Sequence, residues 1–288
     1  MNILLTGASG FLGRNLATAL LAAGHQVTPV SRTHGIDFKQ QLSPESWLPL
    51  LEEIDAVINC VGIIGERGTQ RFQTLHSDAP IALFQAFAMA GVKRVIQISA
   101  LGADEAAFSR YHLSKLAADN ALRRLDLDWF VLRPAIVIGQ GGASTQWLRR
   151  VAVLPVIPVI GEGQQRLQLV LLQEVVATVL MCLNTSTTKQ TLDVVGPETL
   201  IVAEWLQAMR CAQGLGRGKL WHCPPALAVG LARLGRFISP MLSLENLRML
   251  QVGYHADHRP LEQFLGRELQ AVSSQLSTPD LALQENFS

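Results

Sequence analysis

The chain has little charge and almost no bias toward either sign. Of its 288 residues 16% are charged, and 24 basic against 23 acidic residues leave a formal net charge of +1. No run of lysines and arginines stands out, so the charge pattern gives no argument for a nucleic-acid partner. Hydrophobic residues make up 49% of the chain, which is enough for one large domain or for a domain with a smaller lobe.

Cysteine is also scarce. The four residues form no Cys-x-x-Cys pair, and their scattered placement suits buried thiols in a reducing cytoplasm; they are Cys60, Cys182, Cys211 and Cys223. The sequence predicts no metal site. It also predicts no signal peptide, because no basic stretch precedes an apolar one at the N-terminus.

Two apolar stretches could suggest a membrane segment. Residues 167–183 include Gln168, Gln173 and Glu174, and the stretch is too short to span a bilayer with these residues inside it. Residues 225–242 carry two arginines and predict a lobe helix, with an interfacial membrane or partner helix as the alternative. We therefore expect no transmembrane span and a cytoplasmic protein, with peripheral attachment to the inner membrane as the alternative.

The first thirteen residues combine a short apolar run, a glycine-rich turn and a helical pattern. Residues 3–5 read as a buried strand, Gly7, Gly10 and Gly13 follow, and leucines at helical spacing come next. This order is typical of a dinucleotide-binding crossover, in which the pyrophosphate lies on unpaired N–H groups at a helix N-terminus. The alternative is an ordinary strand–helix turn. The predicted cofactor contacts here are Gly7, Ser9, Gly10, Phe11 and Leu12.

Apolar runs alternate with helical segments through the first half of the chain. The predicted strands are 27–30, 55–60, 95–99 and 129–132, and the predicted helices are 75–90 and 109–125. This alternation predicts an α/β fold, a Rossmann-type doubly wound parallel sheet with a smaller C-terminal lobe. Ligands of such sheets bind at the carboxyl ends of the strands.

The alternation fails after about residue 139. Residues 141–144 predict a loop, 167–172 a strand followed by a helix through 183, 191–195 another strand, and a helix begins at about 202. The predicted domains are therefore residues 1–140, with 165–195 returning to the sheet, and a substrate or partner lobe over 141–288.

Tyrosine and lysine are rare, with two and five residues respectively, yet one of each lies at helical spacing. Tyr111 is followed at i+4 by Lys115, which places both side chains on one face of a predicted helix. Ser99 ends the preceding strand, twelve positions before Tyr111. The alternative is a Tyr/Lys pair on the surface of an amphipathic helix.

The glycine spacing and the Ser, Tyr-x-x-x-Lys set resemble the short-chain dehydrogenase/reductase superfamily in its extended or atypical branches. The resemblance implies that Tyr111 is the general acid/base and that Ser99 polarises the reacting carbonyl. It also implies that Lys115 binds the nicotinamide ribose and lowers the pKa of Tyr111. The family's following helix carries an asparagine where this chain has His76, a departure that leaves a proton relay through that helix in question.

The residues just after the second strand determine whether such a site prefers NAD or NADP(H). Ser31 and Arg32 stand where an NAD site has an acidic residue, and a guanidinium suits a 2′-phosphate, so NADP(H) is predicted, with NAD as the alternative. Asp37 is a candidate adenine contact, with an ordinary loop aspartate as the alternative. Further predicted cofactor contacts at the strand ends are Cys60, Val61, Gly62 and Pro134.

Four segments indicate which branch of the superfamily the chain resembles. Residues 92–103, 129–139, 155–163 and 194–198 look like the atypical branch related to the alpha-subcomplex subunit 9 of respiratory complex I. That subunit is regarded as a nucleotide-bound structural component, whereas this chain keeps Ser99, Tyr111 and Lys115. The resemblance covers roughly residues 1–210.

Three functional hypotheses follow. The first is an NADP(H)-dependent oxidoreductase acting on a carbonyl or hydroxyl of a small molecule. The second is a non-catalytic, nucleotide-bound assembly or accessory protein of a respiratory NADH:quinone oxidoreductase, with the C-terminal lobe facing a membrane-complex partner. The third is a nucleotide-sugar-type epimerase or dehydratase, since extended relatives use the same tyrosine for those reactions.

Overall fold

The computed structural model describes residues 1–235 and 243–276. Its strands are β1 (Asn2–Thr6), β2 (Gln26–Val30), β3 (Ala56–Asn59), β4 (Arg94–Ile98), β5 (Asp128–Pro134), β6 (Ile136–Ile138), β7 (Val156–Ile160), β8 (Arg166–Leu171), β9 (Gln190–Val194), β10 (Thr199–Ile201) and β11 (Lys219–Cys223). Its α-helices are α1 (Phe11–Ala22), α2 (Ala79–Ala90), α3 (Arg110–Arg123), α4 (Ala143–Ala152), α5 (Leu172–Asn184), α6 (Val202–Ala212), α7 (Pro225–Gly235), α8 (Leu244–Val252), α9 (Arg259–Leu265) and α10 (Val272–Leu276).

The chain divides into two compact units. The first consists of Met1–Pro134 and Val175–Val194, and the second of Ala135–Glu174 and the chain from Val195 onward. The boundary falls inside α5, whose first residues belong to the second unit.

The first unit is built on a six-stranded sheet in the order β2-β1-β3-β4-β5-β9, and every neighbouring pair is parallel. The predicted doubly wound parallel sheet is confirmed. Because β2 and β3 flank β1 on opposite sides, the chain reverses its direction of winding at β1, and a ligand crevice is expected there. The carboxyl ends of β1, β3, β4 and β5 lie along this same edge.

Both faces of this sheet are buried, as the continuous apolar strands require. On one face Leu4, Val57 and Val95 pack in a core with Phe84 of α2 and Leu122 of α3. Residues of the opposite strand parity are buried as well, among them Ile3, Ile58, Ile96 and Phe130. Apolar area removed from water at about 25 cal/mol per Å² is the main stabilisation of such a core.

The segment between β2 and β3 differs from the strand–helix alternation of the rest. Residues 31–55, all described, contain four short 3-10 turns in place of an α-helix: Arg32–His34, Phe38–Gln40, Pro44–Ser46 and Leu48–Leu50. Pro44 and Pro49 lack the N–H that a continuous helix would need. Trp47 is nonetheless fully buried in the core formed with α2.

The second unit contains a three-stranded sheet, β10-β8-β6, and a two-stranded parallel pair, β11-β7. The loop predicted over residues 141–144 is shorter than expected, because α4 already begins at Ala143 with Gly142 as its N-cap. A strand also forms at Val156–Ile160 despite its proline.

In the second unit, Glu174 is fully buried and accepts both terminal nitrogens of Arg267, at 3.1 and 2.6 Å, and the backbone N–H of Gln270. This ion pair ties the segment after α9 to the start of α5. The apolar stretch 225–242 forms α7 up to Gly235, and the rest of that prediction lies outside the described residues. Within residues 1–235 and 243–276, no helix has the length and apolar character needed to cross a bilayer.

Candidate active site and cofactor site

The glycine-rich turn connects β1 to α1 by close backbone contacts. Gly7 has a positive φ of 70°, and its carbonyl accepts the N–H of Gly10 at 2.9 Å. A Cβ on Gly13 would lie 2.2 Å from the Gly7 oxygen, so only glycine allows α1 to begin this close to the strand. A Cβ on Gly10 would meet the same oxygen at 3.1 Å, a much milder contact.

The start of α1 suits a pyrophosphate. Among the residues that the structure describes, no side chain caps this helix at Gly10. The N–H groups of the first turn, including those of Phe11 and Leu12, therefore lack intrahelical acceptors and lie at the positive end of the helix dipole. Ser9 and Gly10 are exposed, and the carbonyl of Ser9 accepts Arg14 Nη1 at 2.6 Å. Arg14, which the sequence reasoning missed, adds a positive charge beside this turn.

The residues after β2 form a small polar cluster. The Oγ of Ser31, which is buried, lies 2.8 Å from Thr33 Oγ1 and 2.7 Å from His34 Nδ1, and Arg32 beside it is exposed. Asp37 does not follow a strand: it caps the 3-10 turn at Phe38–Gln40 and forms a 3.3 Å ion pair with Lys39.

Lys115 of α3 joins the ends of two strands. Its Nζ donates to the carbonyl oxygens of Val61 at 3.1 Å and Ile98 at 2.9 Å, and the residue is only 3% exposed. A Cβ on Gly62 would lie 3.3 Å from this Nζ. Burial lowers the pKa of Lys115 to about 8, although Asp119 and Cys60 oppose the shift. Burial also raises the pKa of the Cys60 thiol to about 12, which keeps it protonated at neutral pH.

Tyr111 lies one turn before Lys115, with its ring among other rings. The centroids of Phe72, His76 and His112 lie 5.8, 5.4 and 5.0 Å from that of Tyr111. Burial raises the pKa of Tyr111 to about 12, opposite to the lowering that the family resemblance implies. The phenolate would lose more hydration at this position than the phenol would. Tyr111 is therefore protonated at neutral pH and can act as a proton donor.

His76 has a role that the sequence did not reveal. It is fully buried in a π-helical turn, Gln73–Asp78, that runs directly into α2. Its Nε2 accepts the N–H of Ile63 at 2.9 Å, so Nδ1 carries the proton and donates to Ser114 Oγ at 3.1 Å. Ser114 in turn donates to the Tyr111 carbonyl at 2.8 Å. Burial, together with Lys115, holds the pKa of His76 well below its ordinary value.

Ser99 follows β4, and its hydroxyl donates to Asp119 Oδ2. Asp119 lies four residues after Lys115 and therefore on the same face of α3 as Tyr111 and Lys115. This spacing is visible in the sequence, but the prediction did not use it. Burial raises the pKa of Asp119 to about 6, against the effects of the Ser99 hydrogen bond and nearby cations. Pro134, at the end of β5, accepts the N–H of Leu101 at 2.9 Å through its carbonyl.

A row of buried polar side chains crosses the sheet near the carboxyl ends of β1, β3 and β4. Thr6 donates to Asn59 Oδ1, and Asn59 Nδ2 donates to Gln97 Oε1 at 2.6 Å. The three residues are in register on β1, β3 and β4 and are all fully buried. Such a network holds the strand ends in fixed relation to one another.

The model of the NAD dependent epimerase/dehydratase family matches residues 3–195. The chain belongs to this family. The family as a whole is enzymatic and depends on a nicotinamide dinucleotide, and the predicted resemblance to short-chain dehydrogenase/reductases is confirmed.

Two curated relatives give further context. Ceramide reductase of Caulobacter vibrioides is 30% identical over 172 residues, which is 56% of this chain and 54% of that protein. The mitochondrial NADH dehydrogenase [ubiquinone] 1 alpha subcomplex subunit 9 of Arabidopsis thaliana is 27% identical over 223 residues, 70% of this chain and 56% of that protein. The chain thus spans about half the length of these relatives.

Among solved structures, MoeE5 in complex with UDP-glucuronic acid and NAD matches with a TM-score of 0.73. The match covers 96% of this chain and 97% of that one at 18% sequence identity, and it establishes the fold.

Proposed function

We propose that the protein is an NADP(H)-dependent oxidoreductase that reduces a carbonyl group of a small molecule and oxidises the corresponding alcohol. The observation that carries the proposal is the position of α3. This helix presents Tyr111 and Lys115 on one face. The Lys115 Nζ donates hydrogen bonds to the carbonyl oxygens of Val61, just after β3, and of Ile98, at the end of β4. These strand ends are where a sheet of this topology binds its ligand.

The residues at the sheet edge fit a dinucleotide. The uncapped N-terminus of α1 offers N–H groups to the pyrophosphate, and Gly62 leaves space beside the Lys115 ammonium. Ser31 and Arg32 would hold a 2′-phosphate, and Lys115 the nicotinamide ribose. When bound, the cofactor supplies a hydride for the carbonyl carbon.

Tyr111 supplies the proton in this scheme. Its raised pKa keeps the phenol protonated, which suits donation to the oxygen of a carbonyl as negative charge develops there. Lys115 contributes a buried positive charge close to the same helix face. Phe72 and His76 pack edge-on against the Tyr111 ring and hold it in place.

Cofactor preference has its own test. Calorimetric titration should show tighter binding of NADPH than of NADH, and Arg32→Ala should weaken NADPH selectively, by about 1.5–3 kcal/mol for one lost charge-assisted contact. Lys39→Ala, which removes a cation paired with Asp37, is the control and should leave the preference intact. Tighter binding of NADH by the wild-type protein would reject the assignment.

A nucleotide-bound accessory role is the second candidate, because the similarity to the Arabidopsis complex I subunit extends over 70% of this chain. An epimerase or dehydratase reaction is the third, suggested by the family and by the fold shared with MoeE5. Mass spectrometry should identify the nucleotide that copurifies with the protein. NADPH oxidation should then be assayed with aldehydes, ketones and quinones, and epimerisation with nucleotide sugars. Reduction of a carbonyl substrate supports the first candidate; its absence across the panel refutes it.

A further inference from the structure

The hydroxyl of Ser99 donates its hydrogen bond to a buried carboxylate. Ser99 Oγ donates its hydrogen to Asp119 Oδ2, and the two residues are 4% and 0% exposed. Among the described residues, the other oxygen of Asp119, Oδ1, has no hydrogen-bond partner although it is buried. An ionised carboxylate with one oxygen unsatisfied is costly in such surroundings.

This hydrogen bond determines what Ser99 can offer a substrate. A serine hydroxyl has one hydrogen to donate and two lone pairs that accept. While that hydrogen is held by Asp119, Ser99 can accept a hydrogen bond from a substrate hydroxyl but cannot donate one to a substrate carbonyl. Polarising a carbonyl requires the opposite polarity.

The charged groups facing Asp119 come from two elements, and the Ser99 hydroxyl comes from a third segment. Lys115 and Arg123 lie on the same helix, Arg133 lies on β5, and Ser99 follows β4; all of them favour the carboxylate, whereas burial favours the acid. Both arginines also have partners of their own. Arg133 pairs with Asp193 at 2.7 Å, and Arg123 donates to Asn120 and to Thr191.

We propose that Asp119 is a positioning residue that sets the hydrogen-bond polarity of Ser99. As a carboxylate it holds the Ser99 hydrogen and leaves Ser99 an acceptor, which suits the binding of an alcohol. As a carboxylic acid it donates its own hydrogen to Ser99 Oγ. The Ser99 hydroxyl is then free to donate to a carbonyl oxygen, which suits reduction. This inference rests on the proposed oxidoreductase function.

The coupling between the two residues can be measured without turnover. Carbon-13 NMR of protein labelled at the aspartate carboxyls, with Asp119 assigned by Asp119→Asn, should show this carboxyl titrating above the ordinary aspartate range. Ser99→Ala removes the hydrogen bond to the carboxylate and should raise the midpoint by about one pH unit. An Asp119 midpoint in the ordinary range, or one that Ser99→Ala does not move, overturns the inference.

The functional consequence is tested by comparing pH profiles of kcat/KM. In the wild-type protein, kcat/KM for carbonyl reduction should fall as pH rises through the Asp119 titration, because the ionised carboxylate holds the Ser99 hydrogen away from the carbonyl oxygen. Asp119→Asn can donate from its amide to Ser99 at every pH, so the part of the fall due to Asp119 should be lost. It should also be lost in Ser99→Ala. Asp126→Asn, at a carboxylate whose side chain is 95% exposed, is the control and should keep the wild-type profile.

The two proposals fail in different ways. If the wild-type protein turns over no carbonyl substrate, the proposed function is wrong, and the NMR titration alone decides whether Asp119 controls Ser99. If turnover is found but Asp119→Asn keeps the wild-type profile, the positioning role is wrong and the oxidoreductase function stands.

Discussion

Replacing His76 with glutamine tests how a buried neutral imidazole contributes to stability. His76 is fully buried, and its Nε2 accepts the N–H of Ile63. Glutamine can place an oxygen near the position of Nε2 but cannot ionise. Because the pKa of His76 is lowered in the folded state, its contribution is complete above the ordinary histidine pKa and is lost as pH falls below it.

The size of this effect follows from the linkage relation. Below the ordinary histidine pKa of 6.5 the unfolded chain binds a proton at this position, whereas the lowered pKa of the folded His76 opposes protonation of the buried imidazole. The wild-type protein should therefore lose unfolding free energy through His76 between pH 7.5 and 4.5, by at most about 1.4 kcal/mol for each pH unit below 6.5. His112 and Asp119, which also titrate in this range, contribute equally to both proteins.

Urea denaturation at the two pH values measures the difference directly. His76→Gln should be less stable than wild type at pH 7.5, since the Ser114 contact and ring packing are lost, but its stability should fall less on acidification. His255→Gln, at an exposed histidine, controls for the substitution and should keep the wild-type pH dependence. If His76→Gln loses as much stability as wild type between pH 7.5 and 4.5, the buried neutral imidazole is refuted.

Three further substitutions probe the glycine-rich turn and the second unit. Gly10→Val should abolish nucleotide binding in calorimetry while the protein stays folded. Gly13→Ala should lower the free energy of unfolding, measured by urea denaturation, by about 1–3 kcal/mol or more, because its Cβ would lie 2.2 Å from the Gly7 oxygen. Normal nucleotide binding by Gly10→Val, or wild-type stability of Gly13→Ala, would contradict the close packing of this turn. Arg267→Met should lower the free energy of unfolding by about 3–5 kcal/mol because it removes the cation that pairs with the fully buried Glu174 carboxylate, and a loss below about 1 kcal/mol would contradict this account.

The local elements of the site were predictable because their signals lie close together in the chain. An apolar run, three glycines and a leucine-spaced helix define the turn of β1 and α1 within twenty residues. The spacing of Tyr111 and Lys115 likewise fixes a common helix face. The four 3-10 turns before β3 have no comparable periodicity, since prolines and short apolar runs alternate there.

The remaining features depend on contacts between distant segments. The bond from Ile63 to His76 and that from Ser99 to Asp119 join residues 13 and 20 positions apart, and no spacing rule links those residue types. The pKa of Tyr111 is a similar case. The sequence shows a neighbouring lysine, whereas the packing of Phe72 and His76 around the ring determines that burial raises the value.

Steady-state turnover of Tyr111→Phe is the measurement that most directly tests catalysis by this chain. The variant keeps the ring and its packing against Phe72 and His76 but removes the hydroxyl that donates the proton. NADPH affinity should stay within a few-fold of wild type, and turnover of a carbonyl substrate should fall by about 10²–10⁴. Tyr254→Phe, at the other tyrosine of the chain, should leave turnover unchanged. Carbonyl reduction that survives intact in Tyr111→Phe would contradict the assignment of Tyr111 as the proton donor.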